Sequence, residues 1–369
     1  MRRRVIFYLI LGSIGLLAAF GEWRLYGHLG GWLAGWGGLC LWLALPLAFI
    51  APHVCERQLP LWLVRLLAFV GGYGFSFVYY AILLLIPFAL LWLVALLLGW
   101  PEHVYDGYAR WYAMAALAIE AALLIGGSIQ ARRPRVREVE VTTQRHIPRP
   151  LRLAFLSDLH FGAVLGSGFA RRLVRDVQRL QADIILVGGD VIDGNWHLVD
   201  RMRSLRPLAG LDAPLGVYAV LGNHDNYSQR TREERKALRQ LGIHVLVDDV
   251  VMVERGVTLV GMGDALYYPA SSVPPRDEGD ESYVIVMDHE PVRMPVAAAA
   301  GADLYLAGHT HAGQFWPNRY FTRRMFGLDY GEKWYRRMLA IVTSGYGAWG
   351  PQLRLGPPPE IVLVTVRPA

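Results

Sequence analysis

Cysteine is nearly absent: Cys40 and Cys55 are the only two in 369 residues. Two cysteines build no disulfide framework, and neither assigns the chain to an oxidising compartment. Internal repeats are missing, and low complexity is confined to residues 297–300. Charge is missing altogether from residues 66–100. The apolar run behind Met1-Arg2-Arg3-Arg4 lacks a small-residue cleavage site followed by a polar segment. It therefore reads as a membrane helix and not as a signal peptide. No module of basic residues with interleaved aromatics suggests DNA or RNA, so the net charge of +6 does not call for a nucleic-acid partner.

Apolar residues, by contrast, are abundant. They make up 54% of the chain, the mean hydropathy is +0.28, and the excess lies between Val5 and Ile129. Charged residues return every few positions after Arg132. Length alone favours two or three domains. The composition divides the chain into a multi-pass transmembrane domain (residues 1–131), a basic linker (132–150) and a soluble domain (151–369) large enough for one well-buried α/β core.

About 20 apolar residues cross a bilayer as a helix. Residues 5–19, 29–50, 66–99 and 111–129 meet that length. The third run is long enough for one tilted helix or for two helices turning at Gly71-Gly72-Tyr73-Gly74. Arginine distribution favours four spans over five. With the N-terminus inside, Arg2–Arg4, Arg57, Arg65 and the seven arginines from Arg132 to Arg152 are cytoplasmic, leaving Arg24 and Arg110 outside. Five spans would break the positive-inside rule. The expected location is thus the inner (plasma) membrane, with the soluble domain in the cytoplasm and the juxtamembrane arginines favouring anionic lipid. Glu120 lies within the fourth span, where an ionisable group is costly. A carboxyl paired with an arginine or facing a wet cleft is the plainer reading, and a transport role the sharper one.

In the soluble domain, short apolar runs alternate with amphipathic stretches. Strands are expected at residues 153–156, 184–187, 217–221, 250–253, 258–261, 284–287, 304–307, 340–343 and 361–366, and helices at 169–180 and 230–241. That pattern predicts an α/β fold of packed sheets flanked by helices.

Five short motifs follow the strands: Asp158-Leu159-His160, Gly189-Asp190, Gly222-Asn223-His224-Asp225, His289, and Gly308-His309-Thr310-His311. Singly, each is an ordinary turn. Together and at strand ends, they let a rigid sheet bring distant ligands to one point. Asp158 and His160, two apart, would face one side of an extended chain. A carboxylate at Asp190 can bridge two cations, Asn223 offers a neutral oxygen, and His289, His309 and His311 add imidazoles. Two metals about 3.5–4 Å apart can activate a shared hydroxide and clamp an in-line displacement at phosphorus. His224, beside a ligand without needing to be one, is the expected general acid, with Asp225 orienting its ring. Asp193 is expected to brace the loop after Asp190.

This motif series resembles the calcineurin-like metallophosphoesterase superfamily, over roughly residue 152 to the end. The tail Ser344-Gly345-Tyr346-Gly347-Ala348-Trp349-Gly350-Pro351, with Arg354 and Pro359-Glu360-Ile361, resembles a bacterial membrane-linked subgroup. The resemblance implies an αββα layered β-sandwich and two divalent metals (manganese, iron, zinc or magnesium). Asp158, His160, Asp190 and His311 would hold one, and Asp190, Asn223, His289 and His309 the other. Mixed nitrogen and oxygen ligation favours a transition metal without choosing among them; of the metals the resemblance implies, manganese is favoured.

Residues 314–338 mix Phe315, Trp316, Tyr320, Phe321, Phe326, Trp334 and Tyr335 with Arg319, Arg323, Arg324, Arg336 and Arg337. Such a segment suits a membrane surface or a lipid phosphate pocket, or packs on its own domain. The expected function is hydrolysis of a phosphodiester, phosphomonoester or pyrophosphate on a lipid-linked substrate, a UDP-diacylglucosamine-type pyrophosphate being one candidate by resemblance. The alternatives are a membrane sensor or scaffold that binds a phosphorylated ligand, and a phosphodiesterase acting on soluble nucleotides.

Overall fold

The computed structural model describes residues 2–276 and 279–369, without the side chains of residues 2–9 and 11. The chain forms two compact units, one ending at Ile129 and the other spanning Gln130–Ala369.

The first unit contains four long helices: α1 (Arg2–Gly27), α2 (Trp36–Val54), α3 (Leu61–Leu97) and α4 (Glu102–Ala131). Three of them, α2, α3 and α4, are long and apolar enough to cross a membrane. The expected first span lies in α1, where the side chains of residues 5–9 and 11 fall outside the description. The long third run is a single helix of 37 residues, roughly 56 Å at 1.5 Å per residue. No turn forms at Gly71–Gly74, because these glycines serve close packing. Gly71, Gly72 and Gly74 are buried, and a Cβ on Gly71 would run into the backbone of Ala48 and Phe49 in α2. Small residues at such a crossing let helix backbones approach. Glu120 is fully buried and accepts a 2.6 Å hydrogen bond from Tyr26. Its partner is thus a phenol from α1, not the arginine the sequence suggested.

The second unit is a sandwich of two six-stranded sheets. Its strands are β1 (Arg135–Thr143), β2 (Leu151–Leu156), β3 (Ile184–Gly188), β4 (Val217–Val220), β5 (Ile243–Val245), β6 (Asp249–Glu254), β7 (Val257–Gly261), β8 (Tyr283–Met287), β9 (Leu304–Ala307), β10 (Gly331–Tyr335), β11 (Met338–Val342) and β12 (Glu360–Pro368). The helices are α5 (Ser167–Gln178), α6 (Trp196–Arg201), α7 (Asn223–Tyr227), α8 (Thr231–Gln240), α9 (Met294–Ala299) and α10 (Arg319–Met325). One sheet runs β1-β12-β2-β3-β4-β5 and the other β10-β11-β9-β8-β7-β6. The central strands β2, β3 and β4 are parallel, as are β7, β8 and β9. Parallel neighbours end at the same edge, so their following loops gather there.

Strand alternation builds the layers. In β2, Leu153 and Phe155 point into the space between the sheets, where they meet Leu306 and Ile341. Ala154 and Leu156 face the other way, against Ala170, Leu173 and Val177 of α5. On the far side of the second sheet, Val286 and Tyr305 pack with Met294 and Ala297 of α9. The result is a helix–sheet–sheet–helix stack.

Residues 132–150 are not wholly a linker. β1 adds to the sheet edge in parallel with β12. Val139 and Val141 are buried between exposed Glu138 and Glu140, a period-two pattern that the surrounding arginines obscured.

Leu306, fully buried between the sheets, should be a stability determinant. Leu306→Ala is expected to cost about 2–5 kcal/mol in denaturant unfolding. Val250→Ala, on a side chain 52% exposed, should stay within about 0.5 kcal/mol.

Candidate metal centre

Every motif residue sits just beyond a strand that ends at this common edge. The loops after β2 and β3 are laced together: Asp158 N donates to Gly189 O at 3.0 Å, and His160 N to Asp190 O at 3.0 Å. Asp158 and His160 do not lie on an extended segment, as their spacing suggested. Their φ values are 57° and 47°, and Asp190 (49°), His309 (71°) and His311 (50°) share the left-handed region. Such conformations cost about 1–3 kcal/mol each for residues with a Cβ and cluster at functional sites. A left-handed residue turns the chain sharply, and here it aims successive side chains inward. Gly222 permits a close approach. A Cβ there would collide with Asp190 Oδ1 and come within 2.7 Å of the His289 ring.

All seven expected ligands converge in two groups. In the first, His160 Nε2 is 2.9 Å from His311 Nε2. His311 Nε2 lies 3.5 Å from Asp158 Oδ1, and His160 Nε2 3.7 Å from Asp190 Oδ2. In the second, His289 Nε2 is 3.3 Å from Asp190 Oδ2 and 3.1 Å from Asn223 Oδ1. His309 Nδ1 lies 2.9 Å from Asn223 Oδ1 and 3.3 Å from His289 Nε2. Asp190 Oδ2 belongs to both groups. Ligand atoms bound about 2.0–2.2 Å from one cation stand roughly 3–3.6 Å from each other. The spacing and the hard-oxygen-plus-imidazole donor set therefore fit two divalent ions.

Two of the imidazoles are already in the form that this use needs. Burial, then the charge of His289, holds His309 down to about 3. Burial and the Arg354 guanidinium keep His311 well below its usual value. Both rings are neutral at physiological pH, as ligation requires. His289 directs Nδ1 at the Gly188 carbonyl, 2.8 Å away, so that nitrogen donates. Burial pulls the ring down, but Asp190 outweighs it and raises it well above its usual value, so a cation at Nε2 would have to displace a proton. Burial pushes Asp190 up, but His289 and His224 outweigh it and leave the carboxyl well below its usual range.

His224 also lies against the first group, with a ring nitrogen within 4.8 Å of ligand atoms of His160 and Asp190. Its backbone N–H donates to Asp190 Oδ1 at 2.8 Å. Its ring is oriented by Asp193, with Nδ1 3.1 Å from Oδ1, which leaves Nε2 free of that bond. Asp225 has a different task from the one expected. Its oxygens accept from Ile192 N at 2.9 Å and Gly222 N at 2.8 Å, so it ties the β3 and β4 loops together. Two carboxylates were thus exchanged in role: Asp193 steers the ring and Asp225 fixes backbone. The available signal was a second aspartate three residues after Asp190.

Sequence reasoning did not foresee the burial of Glu234 or Arg354. Glu234 of α8, read as part of a charged helix, is fully buried, and burial together with neighbouring Asp225 raises its carboxyl well above the usual range. Arg354 is also fully buried. It donates to the carbonyls of His311 (3.2 Å) and Gly347 (2.6 Å), fixing the last ligand loop.

Above the ligands opens a cavity of about 370 Å³, walled by Thr310, Gln314, Phe321, Thr322 and Trp349. No arginine or lysine is among its described lining residues. Anionic charge entering it must be met by cations at the ligand groups and by His224, which suits a phosphoryl group.

Sequence comparison agrees with this site. The profile of the calcineurin-like phosphoesterase family matches residues 151–313. A metallophosphoesterase of Aquifex aeolicus is 30% identical over 244 residues, covering 63% of this chain and 92% of its own length. A Campylobacter jejuni metallophosphoesterase is 27% identical over 289 residues, 74% of this chain and 75% of its own. The Danio rerio "transmembrane protein with metallophosphoesterase domain" is 30% identical over 292 residues, 73% of this chain and 65% of its own. With its ligand residues gathered at one edge of the sandwich, the chain belongs to the calcineurin-like metallophosphoesterases, a family of metal-dependent phosphoesterases.

Proposed function

We propose that this protein is a membrane-anchored dinuclear phosphoesterase that cleaves a phosphoester or pyrophosphate bond of a lipid-linked substrate on the cytoplasmic face. The observation that carries the chemistry is Asp190, whose Oδ2 lies within 3.3–3.7 Å of imidazoles from both ligand groups. Divalent cations, with manganese favoured, would be held by Asp158, His160, Asp190 and His311 and by Asp190, Asn223, His289 and His309. When bound, they would polarise the phosphoryl oxygens and lower the pKa of water at the site.

The chain's own groups supply the rest. His224 holds a proton at Nε2 while Asp193 fixes Nδ1, so it can deliver that proton to the leaving oxygen. Asp225 keeps the His224 turn in register with the Asp190 loop. The anchor reading draws on the apolar helices, and the name of the zebrafish relative is consistent with it. The cytoplasmic side follows from the arginine count.

Three measurements test this reading. Purified full-length protein with Mn²⁺ should turn over lipid-borne phosphoesters faster than soluble nucleotides; equal or better nucleotide turnover would defeat the lipid assignment. His224→Ala should lower kcat about 10²–10⁴-fold while both metals remain bound, and an unchanged kcat would remove His224 from the chemistry.

The third is pH dependence. Burial pulls His224 down, but Asp190, Asp193 and Asp225 together raise it above 6.5. The acid form is then lost as pH rises through that raised value. Asp193→Asn removes one stabilising carboxylate, so the alkaline limb of kcat/KM should move to lower pH. An unmoved limb would show that Asp193 does not position the acid.

A further inference from the structure

We infer that α10 and the turn before it form a bilayer-docking surface for anionic lipid, placing the mouth of the metal cavity at the head-group layer. This deepens the proposed function and rests on its membrane anchoring.

Helix α10 has no buried residue among its seven, unlike a helix that packs on its own domain. Its outward side chains are large and apolar: Tyr320 and Phe321 are each 58% exposed and Met325 73%. Trp316 just before it is 67% exposed. Isolated exposed apolar residues are ordinary, but four within ten positions, on one short helix and its lead-in, ask for a partner.

Charge identifies that partner. Arg323 and Arg324 are exposed on the same helix, and Lys333, Arg336 and Arg337 are exposed in the strand and turn that follow. The segment's two acids are each engaged by an arginine. Asp329 is buried against Arg319 at 3.4 Å, and Glu332 meets Arg137 at 2.9 Å. The Arg324 guanidinium lies 3.5 Å over the Tyr320 ring, a pairing that keeps cation and aromatic at the same depth. Aromatics with basic side chains at one level match the interface of a bilayer whose surface carries anionic head groups. An acidic protein partner would satisfy the charges but not the grouped Trp, Tyr, Phe and Met tips.

The connection to catalysis is physical. Phe321 and Thr322 line the metal cavity, and the Phe326 ring, one residue past α10, meets that of ligand His309 at 5.7 Å. The same short helix is thus wall to the cavity and face to the surroundings. A lipid phosphoester at the surface could reach the ligand groups without its chains leaving the bilayer.

Site-directed spin labelling of the full-length chain in vesicles tests this. The native thiols are removed as Cys40→Ser and Cys55→Ser, and single labels are placed at Tyr320→Cys, Met325→Cys and, for reference on α8, Gln240→Cys. In phosphatidylcholine vesicles containing phosphatidylglycerol, labels at 320 and 325 should gain oxygen accessibility and lose contact with a water-soluble relaxation agent relative to 240. High salt should weaken the effect. Labels at 320 and 325 as water-accessible as that at 240 would overturn the inference, whatever the enzyme hydrolyses.

A kinetic arm separates docking from chemistry. The double variant Arg323→Gln/Arg324→Gln should lower turnover of a vesicle-embedded phosphoester several-fold and leave a soluble aryl phosphodiester unchanged. Equal loss on both substrates would contradict a docking role. Failure to hydrolyse any lipid substrate, with the labels still in the bilayer, would reject the lipid-substrate reading alone.

Discussion

One buried carboxylate organises the second unit. Asp190 Oδ2 must lie within reach of His160 from the β2 loop and His289 from the β8 loop, that is, from both sheets. Its other oxygen holds the backbone of His224. A carboxylate removed from water is costly unless neutralised by nearby positive charge. The surrounding imidazoles supply part of that neutralisation, and a pair of divalent cations would complete it. Elements that place Asp190 therefore also place the acid candidate, both ligand groups and the floor of the cavity.

The sandwich provides the rigidity this convergence demands. Leu153, Phe155, Leu306 and Ile341 interlock between the sheets, so the two halves of the site cannot drift apart without opening the core. That core also offsets the strained backbone at Asp158, His160, Asp190, His309 and His311. Bonds between loops, such as Asp225 to Ile192 and Gly222, carry the rigidity from the strand ends to the reacting groups.

Much of this was legible in the residues. Asp158, His160, Asp190, Asn223, His289, His309 and His311 could be picked out because ligand chemistry recurs at the ends of apolar runs. The layered α/β fold followed from the same runs. What stayed hidden depended on direction in space. Spacing does not reveal which of Asp193 and Asp225 points at His224. Nor does it show that Asp158 and His160 converge through left-handed turns and not along an extended strand. β1 was masked because its arginines outweighed a two-valine alternation. Glu234 looked like one more surface charge on α8, and only packing shows it buried. The third apolar run read equally as one tilted helix or as two helices turning at Gly71–Gly74, since glycine serves turns and close helix packing alike, and α3 continues through.

The central claim is that Asp190 bridges two cations at one site. Titrating metal-free full-length protein with Mn²⁺, followed by electron paramagnetic resonance, tests it most directly. Two ions per chain with an exchange-coupled spectrum, as expected for centres about 3.5–4 Å apart, is the predicted result. A single ion, or two ions without magnetic coupling, would contradict it.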